Sequence, residues 1–66
     1  MKIIINGITK EIPYEINIVE LLENFSLPKE RIAIEINKQV VRKKDWGNIK
    51  VVEADQIEVI HFVGGG

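Results

Sequence analysis

The first part of the chain has two apolar runs joined by a turn sequence. The β-branched run Lys2–Ile5 is followed at once by Asn6-Gly7 and then by the second run, Ile8–Tyr14. Asn-Gly between apolar runs is typical of a β-hairpin, because both residues tolerate the positive φ angles of a type I′ turn. Pro13 cannot donate a ladder hydrogen bond, so we expect it near the end of the second strand or on a sheet edge.

The next segment has the periodicity of an amphipathic helix. Its apolar residues recur at i, i+3, i+4 and i+7, and they are Ile18, Leu21, Leu22 and Phe25. This spacing places them on one helix face. Asn17 stands where an N-cap residue is expected and Glu20 follows three residues later, which is a variant of the capping box. Because Pro28 cannot continue a helix, we predict that the helix ends near Phe25 or Ser26.

The second half of the chain returns to strand patterns. Residues 32–36 alternate isoleucine with alanine and glutamate, which is the period of a half-buried strand. Asn37-Lys38 can turn the chain, so residues 40–42 are expected to pair back. Residues 43–56 are irregular, with one short helical turn expected at residues 45–48. Residues 57–63 then form a closing strand.

Two hairpins, one helix and a closing strand predict an α+β fold, with a mixed sheet of four to five strands and the helix packed on one face. A right-handed crossover through the helix places the first and last strands side by side and parallel in the centre. This is the β-grasp, or ubiquitin-like, arrangement. The alternative is a ferredoxin-like split βαβ fold, but residues 43–56 are too short and polar for its second helix. We expect residues 1–63 to form the domain and residues 64–66 to be a flexible glycine tail.

The composition removes several classes of function. A chain of 66 residues is one domain at most, and with no cysteine and one histidine it has neither disulfides nor the ligands of a zinc site. A net charge of −1 gives no basic surface for nucleic acid. The N-terminal apolar run is too short for a signal peptide or a membrane span. We therefore expect a cytoplasmic protein that binds no cofactor, nucleic acid or membrane and is monomeric when free.

The sequence also lacks the usual catalytic constellations. Ser26 has only His61 as a possible base, and nothing brings their segments together. The carboxylates are scattered over turns and the outer helix face, so paired acid–base chemistry has no support. Gly7 lies in a hairpin and Gly47 in a loop, so no glycine-rich phosphate loop precedes a helix. We expect no catalysis by this chain alone, and we expect Trp46 to fill one end of the core rather than to bind a partner.

The closing strand divides by alternation into two faces. One face carries Ile57, Val59, His61 and Val63, and the other carries Glu58, Ile60 and Phe62. The helix can cover only one side of the sheet, and Glu58 is the residue least easily buried. Ile60 and Phe62 are therefore expected to form an exposed docking patch beside the tail. In the alternative assignment, His61 faces outward and Phe62 lies in the core.

The chain closes with the sequence VGGG. Consecutive glycines lose the most backbone entropy when ordered and add no packing, so they do not stabilise a fold. Such a slender segment can enter a narrow channel and bring a terminal carboxylate into the active site of another protein. There it becomes an acyl donor once it is converted to an acyl phosphate or acyl adenylate. Gly65 and Gly66 are the candidate reactive end, and Val63 and Gly64 extend the partner contacts of the docking patch.

These features together resemble the ThiS family, the sulfur carriers of thiamine biosynthesis, which are small β-grasp proteins ending in Gly-Gly. The resemblance covers the whole chain, through the NG hairpin, the VELLE helix, the stretch IAIEINKQVVRKKDW and the ending DQIEVIHFVGGG. The chain departs from the family pattern at Ala54, where glycine is common. If that turn needs a positive φ, alanine strains it by about 1 kcal/mol.

The resemblance implies a role for the last two residues. An E1-like ThiF enzyme would use ATP and magnesium to adenylate the carboxylate of Gly66, and Gly65 would enter the active site behind it. Sulfur from a cysteine desulfurase or an equivalent donor would then replace the adenylate and leave a thiocarboxylate. This product would be delivered to a ThiG-like thiazole synthase. Gly64 matches a less uniform family position.

Other functions fit the same features. Another β-grasp sulfur carrier, such as the small subunit of molybdopterin synthase, or a ubiquitin-like modifier would share the chemistry at the terminus. A β-grasp interaction module without covalent chemistry is a different class of protein. It would keep its biological activity after deletion of Gly65 and Gly66.

Overall fold

The N-terminal hairpin forms as predicted in the computed structural model, which describes residues 1–62. Strand β1 (Lys2–Ile5) pairs antiparallel with β2 (Ile8–Glu11). Asn6 and Gly7 have φ angles of 49° and 80°, as a type I′ turn requires. Strand β2 ends before Pro13 and is shorter than predicted, because proline has no N–H to continue the ladder.

The N-terminal cap determines where the helix begins. A two-residue strand, β3 (Ile16–Asn17), leads directly into α1 (Ile18–Asn24). The Oδ1 of Asn17 accepts a hydrogen bond from the N–H of Glu20 at 2.8 Å, and a carboxylate oxygen of Glu20 accepts one from the N–H of Asn17 at 3.0 Å. Phe25 is the C-cap. The predicted capping box and helix end are both confirmed.

The second hairpin joins β4 (Ile32–Ile36) to β5 (Gln39–Val41) through a turn in which Asn37 and Lys38 have φ angles of 51° and 71°. The short helical turn that follows is a 3₁₀ turn at Lys43–Asp45, earlier in the chain than predicted.

Trp46 comes directly after that turn and is buried, with only 4% of its surface exposed. Its indole N–H donates to the carbonyl oxygen of Val41 at 3.1 Å. The prediction that Trp46 fills part of the core is confirmed. Strand β6 (Lys50–Val51), which pairs with β3 in a separate small sheet, was not predicted.

The closing strand, β7 (Gln56–His61), lies in the middle of a five-stranded sheet of order β2-β1-β7-β4-β5. It runs parallel to β1 and antiparallel to β4, so the predicted mixed β-grasp sheet is confirmed. Helix α1 buries its apolar face in a core shared with one face of the sheet. The sheet residues in that core are isoleucines of the three central strands, Ile3, Ile5, Ile32, Ile34 and Ile57.

The predicted division into a domain of residues 1–63 and a tail of residues 64–66 falls outside the described residues and stays a prediction. Within residues 1–62, no helix is long and apolar enough to cross a membrane.

Candidate functional site

The two faces of β7 differ in exposure as the alternation predicts. Ile57 is 1% exposed and Val59 is half-buried, so this set faces the core. Ile60 is 41% exposed and Phe62, which follows the strand, is 56% exposed. The predicted exposure of both residues is confirmed, and the alternative with Phe62 in the core is wrong. His61 is exposed at the last position of the strand, even though alternation assigns it to the core side.

The side of the sheet that carries Ile60 is here called the open face, and the neighbouring strands β4 and β5 add further residues to it. Ile60 pairs with Ala33 of β4, which places a small side chain beside it. Two residues further along β4, on the same face, Glu35 lies opposite Glu58 of β7 and opposite Val40 of β5. Val40 is 70% exposed. The open face therefore combines apolar side chains with a pair of carboxylates.

The two carboxylates of the open face are an unfavourable pair for the isolated chain. Glu35 and Glu58 are directly opposite each other on adjacent antiparallel strands, where like charges destabilise a sheet. None of the ion pairs formed within residues 1–62 includes either of them.

The end of β7 is tied to the sheet up to the last described residue. The N–H of Phe62 donates to the carbonyl oxygen of Arg31 at 2.7 Å, which continues the pairing with β4. Val63, Gly64, Gly65 and Gly66 lie outside the described residues, so their predicted roles stay predictions. What the structure describes is the strand that precedes them and the face that it presents.

The comparison with known families agrees with this arrangement. The sequence profile of the ThiS family matches residues 3–66, which is nearly the whole chain. The chain belongs to the ThiS family.

Individual relatives and solved structures agree with this membership. The sulfur carrier protein ThiS of Bacillus subtilis is 35% identical over 49 residues, which are 74% of each chain. A crystal structure of the thiamine biosynthesis protein ThiS from Geobacter metallireducens superposes with a TM-score of 0.89 at 26% identity, and the match covers both chains completely.

The whole chain is also similar to one region of a longer relative. A thiazole synthase of Magnetococcus marinus is 39% identical over 66 residues, which are all of this chain and 20% of that protein. The chain thus spans about a fifth of the length of this relative.

The position at which the chain departs from the ThiS pattern has the backbone conformation that glycine favours. Ala54 has a φ angle of 71°, in the left-handed region that strains a residue with a Cβ atom. Its N–H donates to the carbonyl oxygen of Lys2 at 2.7 Å, and this bond ties the turn before β7 to β1. The turn at Ala54 therefore has the positive φ angle on which the expected strain of alanine depends.

The described residues do not assemble a metal or catalytic site. Within residues 1–62, no three histidine or acidic side chains are close enough to hold a metal ion, and no polar or charged side chain is buried. Ser26 has a φ angle of 54° in the turn after α1, whereas His61 ends β7. A depression beside β5 is lined by residues that include Ile36, Val41, Arg42, Ile49 and Lys50, and it lies at the Ile36 end of β4.

Sequence reasoning missed three features of the site. The facing pair Glu35–Glu58 needs the register between β4 and β7, which no local pattern contains. The exposure of Val40 follows from its place on the open face opposite Glu35, which depends on the register between β4 and β5. The third feature is the contact between the side chain of Asn6 and the backbone of Val59, which the Asn-Gly motif does not predict.

Proposed function

We propose that this chain is a sulfur carrier of thiamine biosynthesis that receives sulfur at the carboxylate of Gly66. Membership of the ThiS family supports the coarser part of this statement: the chain is a sulfur carrier protein on which enzymes act, and it is not itself an enzyme. The chemistry at Gly66 and the identity of the partners are the finer part of the proposal.

The observation that carries the finer part is the position and exposure of β7. This strand is the central strand of the sheet, so it is held between two neighbours, and the residues up to Gly66 follow it in the sequence. It also exposes Ile60 on the open face, with Phe62 directly after the strand. An enzyme that docks on these two side chains is well placed to receive the residues that follow.

The proposed reaction takes place in partner enzymes. An E1-like, ThiF-like adenylyltransferase binds ATP and magnesium and joins AMP to the carboxylate of Gly66, with release of pyrophosphate. The terminal sulfur of a persulfide on a cysteine desulfurase, or on an equivalent donor, then attacks the acyl adenylate, displaces AMP and forms an acyl disulfide. A thiol reductant cleaves the S–S bond of this intermediate, which leaves the thiocarboxylate on Gly66 and forms a disulfide with the donor sulfur. Gly65 and Gly64 have no side chains, so they do not obstruct a narrow channel behind the reacting group.

A ThiG-like thiazole synthase is the proposed acceptor of the sulfur. The support is that a protein named thiazole synthase contains a region 39% identical to the whole of this chain. Weak docking suits a carrier that must leave one enzyme and reach another, and a few apolar side chains beside the two carboxylates of the open face provide it. Because adenylation consumes ATP, we place the reaction in the cytoplasm, where the free chain is proposed to be a monomer.

The direct test uses intact-mass spectrometry. The chain is incubated with ATP, magnesium, the E1-like partner and a sulfur donor, and we expect the mass change of one oxygen replaced by sulfur. Fragmentation should locate the change at Gly66. A chain lacking Gly65 and Gly66, and a chain with one residue added after Gly66, are expected to remain unmodified.

A partner that adenylates another ThiS protein in the same assay is the positive control. If that enzyme leaves this chain unmodified, the proposed chemistry is wrong. If the truncated chain still supports thiazole formation in cells, the non-covalent interaction module is the better description.

A further inference from the structure

The side chain of Asn6 lies against the backbone of the strand that leads to the C-terminus. Its Oδ1 accepts a hydrogen bond from the N–H of Val59 at 2.8 Å, and its Nδ2 donates to the carbonyl oxygen of Val59 at 3.4 Å. The backbone N–H of Asn6 donates to the carbonyl oxygen of Ile57 at 2.9 Å. One residue of the hairpin turn therefore contacts β7 at two positions along the same edge.

These contacts begin where strand pairing stops. The register between β1 and β7 ends at the pair Ile5–Ile57, because the chain then turns into the first hairpin. A side-chain amide has one carbonyl acceptor and an N–H donor, the same groups as a peptide unit. The amide of Asn6 thus provides the next rung of the ladder, at Val59.

A second asparagine holds β7 in a similar way at its other end. Asn37, in the turn after β4, accepts a hydrogen bond from the N–H of Gln56 through Oδ1 at 3.0 Å and donates its own N–H to the carbonyl oxygen of Gln56 at 2.7 Å. Its Nδ2 donates to a carboxylate oxygen of Asp55 at 3.0 Å. Asn37 therefore holds the first residue of the strand, whereas Asn6 holds a residue close to its last.

We propose that Asn6 is a positioning residue for the transfer of sulfur to Gly66, and this proposal rests on the function proposed above. By holding Val59 beside the end of β1, Asn6 fixes the orientation of the last residues of β7 relative to the rest of the sheet. On the β4 side the strand is held as far as Phe62, through the carbonyl oxygen of Arg31. Without Asn6, the end of β7 is held on one side only, and the reacting carboxylate reaches its partner in fewer productive orientations.

The variants Asn6→Gly and Asn37→Gly form a matched pair that tests the proposal. Both residues have a positive φ, which glycine adopts freely, so each variant keeps its turn and loses only side-chain hydrogen bonds. In Asn6→Gly, hydrogen exchange at the amide of Val59 is expected to become about fivefold faster, the effect of losing one hydrogen bond. The KM for the carrier in adenylation is expected to rise roughly threefold at unchanged kcat, because a smaller fraction of the chain is binding-competent.

Asn37→Gly is expected to speed exchange at Gln56 and to keep the KM of the unchanged chain. The proposal is overturned if Asn6→Gly speeds exchange at Val59 and leaves the KM unchanged, because the contact then has only a structural role. It is also overturned if both variants raise the KM equally, because a general loss of stability then explains the effect. If an active partner does not adenylate the unchanged chain at all, the proposed function itself fails.

Discussion

Ala54 shows how a single backbone angle affects this small domain. Its φ of 71° lies where a Cβ atom is strained, and the turn that it forms leads directly into β7. Relief of this strain in Ala54→Gly is expected to raise the free energy of unfolding by about 1 kcal/mol. The greater conformational entropy of glycine in the unfolded chain offsets part of that gain. Chemical denaturation monitored by the fluorescence of Trp46 measures this change. An Ala33→Gly variant, in β4, should lose stability instead.

Phe62 is the residue through which we expect partners to recognise the fold. It is 56% exposed beyond the end of β7, so its side chain contributes little to the core. Phe62→Ala is expected to weaken binding of the E1-like partner by about tenfold, as the removal of an aromatic contact does. Its thermal midpoint should change by only a few degrees.

Tyr14→Ala provides the control for Phe62→Ala. Tyr14 is 68% exposed, in the segment between β2 and β3 and away from the end of β7. Its removal should leave partner binding unchanged, as titration calorimetry can measure. Equal losses of affinity in both variants would mean that Phe62 is not part of a specific docking surface.

Strands β7 and β4 carry a pair of carboxylates that does not stabilise the isolated chain. Glu58 faces Glu35 across the two strands, and like charges in this position lower the stability of a sheet. Glu58→Gln is expected to raise the free energy of unfolding by about 0.5 kcal/mol. It should weaken partner binding, with the larger effect at low salt concentration.

A Glu53→Gln variant is a useful comparison for Glu58→Gln. Glu53 accepts a hydrogen bond from the N–H of Lys2 at 3.0 Å and has no place in the pairs of the open face. Its substitution should not improve stability or alter the salt dependence of binding. If Glu58→Gln leaves both stability and binding unchanged, the Glu35–Glu58 pair neither destabilises the sheet nor contributes to partner binding.

The elements differ in how well local pattern predicts them. The first hairpin and α1 follow from Asn6-Gly7 and from the capping box of Asn17 and Glu20, because turns and caps depend on residues close in sequence. Strands β3 and β6 have two residues each and are defined by their pairing with each other. They are too short for the periodicity of the sequence to predict them. The positive φ angle of Ser26 likewise has no local signal.

On the scale of the whole molecule, stability rests on one small core. A domain of 66 residues has roughly 3–10 kcal/mol of stability. Leu22 is fully buried in α1, and Leu22→Ala should cost about 2–5 kcal/mol. We therefore expect much of this variant to be unfolded at 37 °C, as circular dichroism would show. Ile8→Ala, at a position 60% exposed on β2, should remain folded.

The sequence by itself determined the hairpins, the capped helix and the exposed set on the last strand, because these depend on periodicity and on neighbouring residues. Family resemblance added the expected chemistry of Gly66. Only the tertiary structure paired β7 with β4, brought Glu35 opposite Glu58 and set Asn6 against Val59. These contacts join residues far apart in the chain, and they exist because the helix and sheet must share one core.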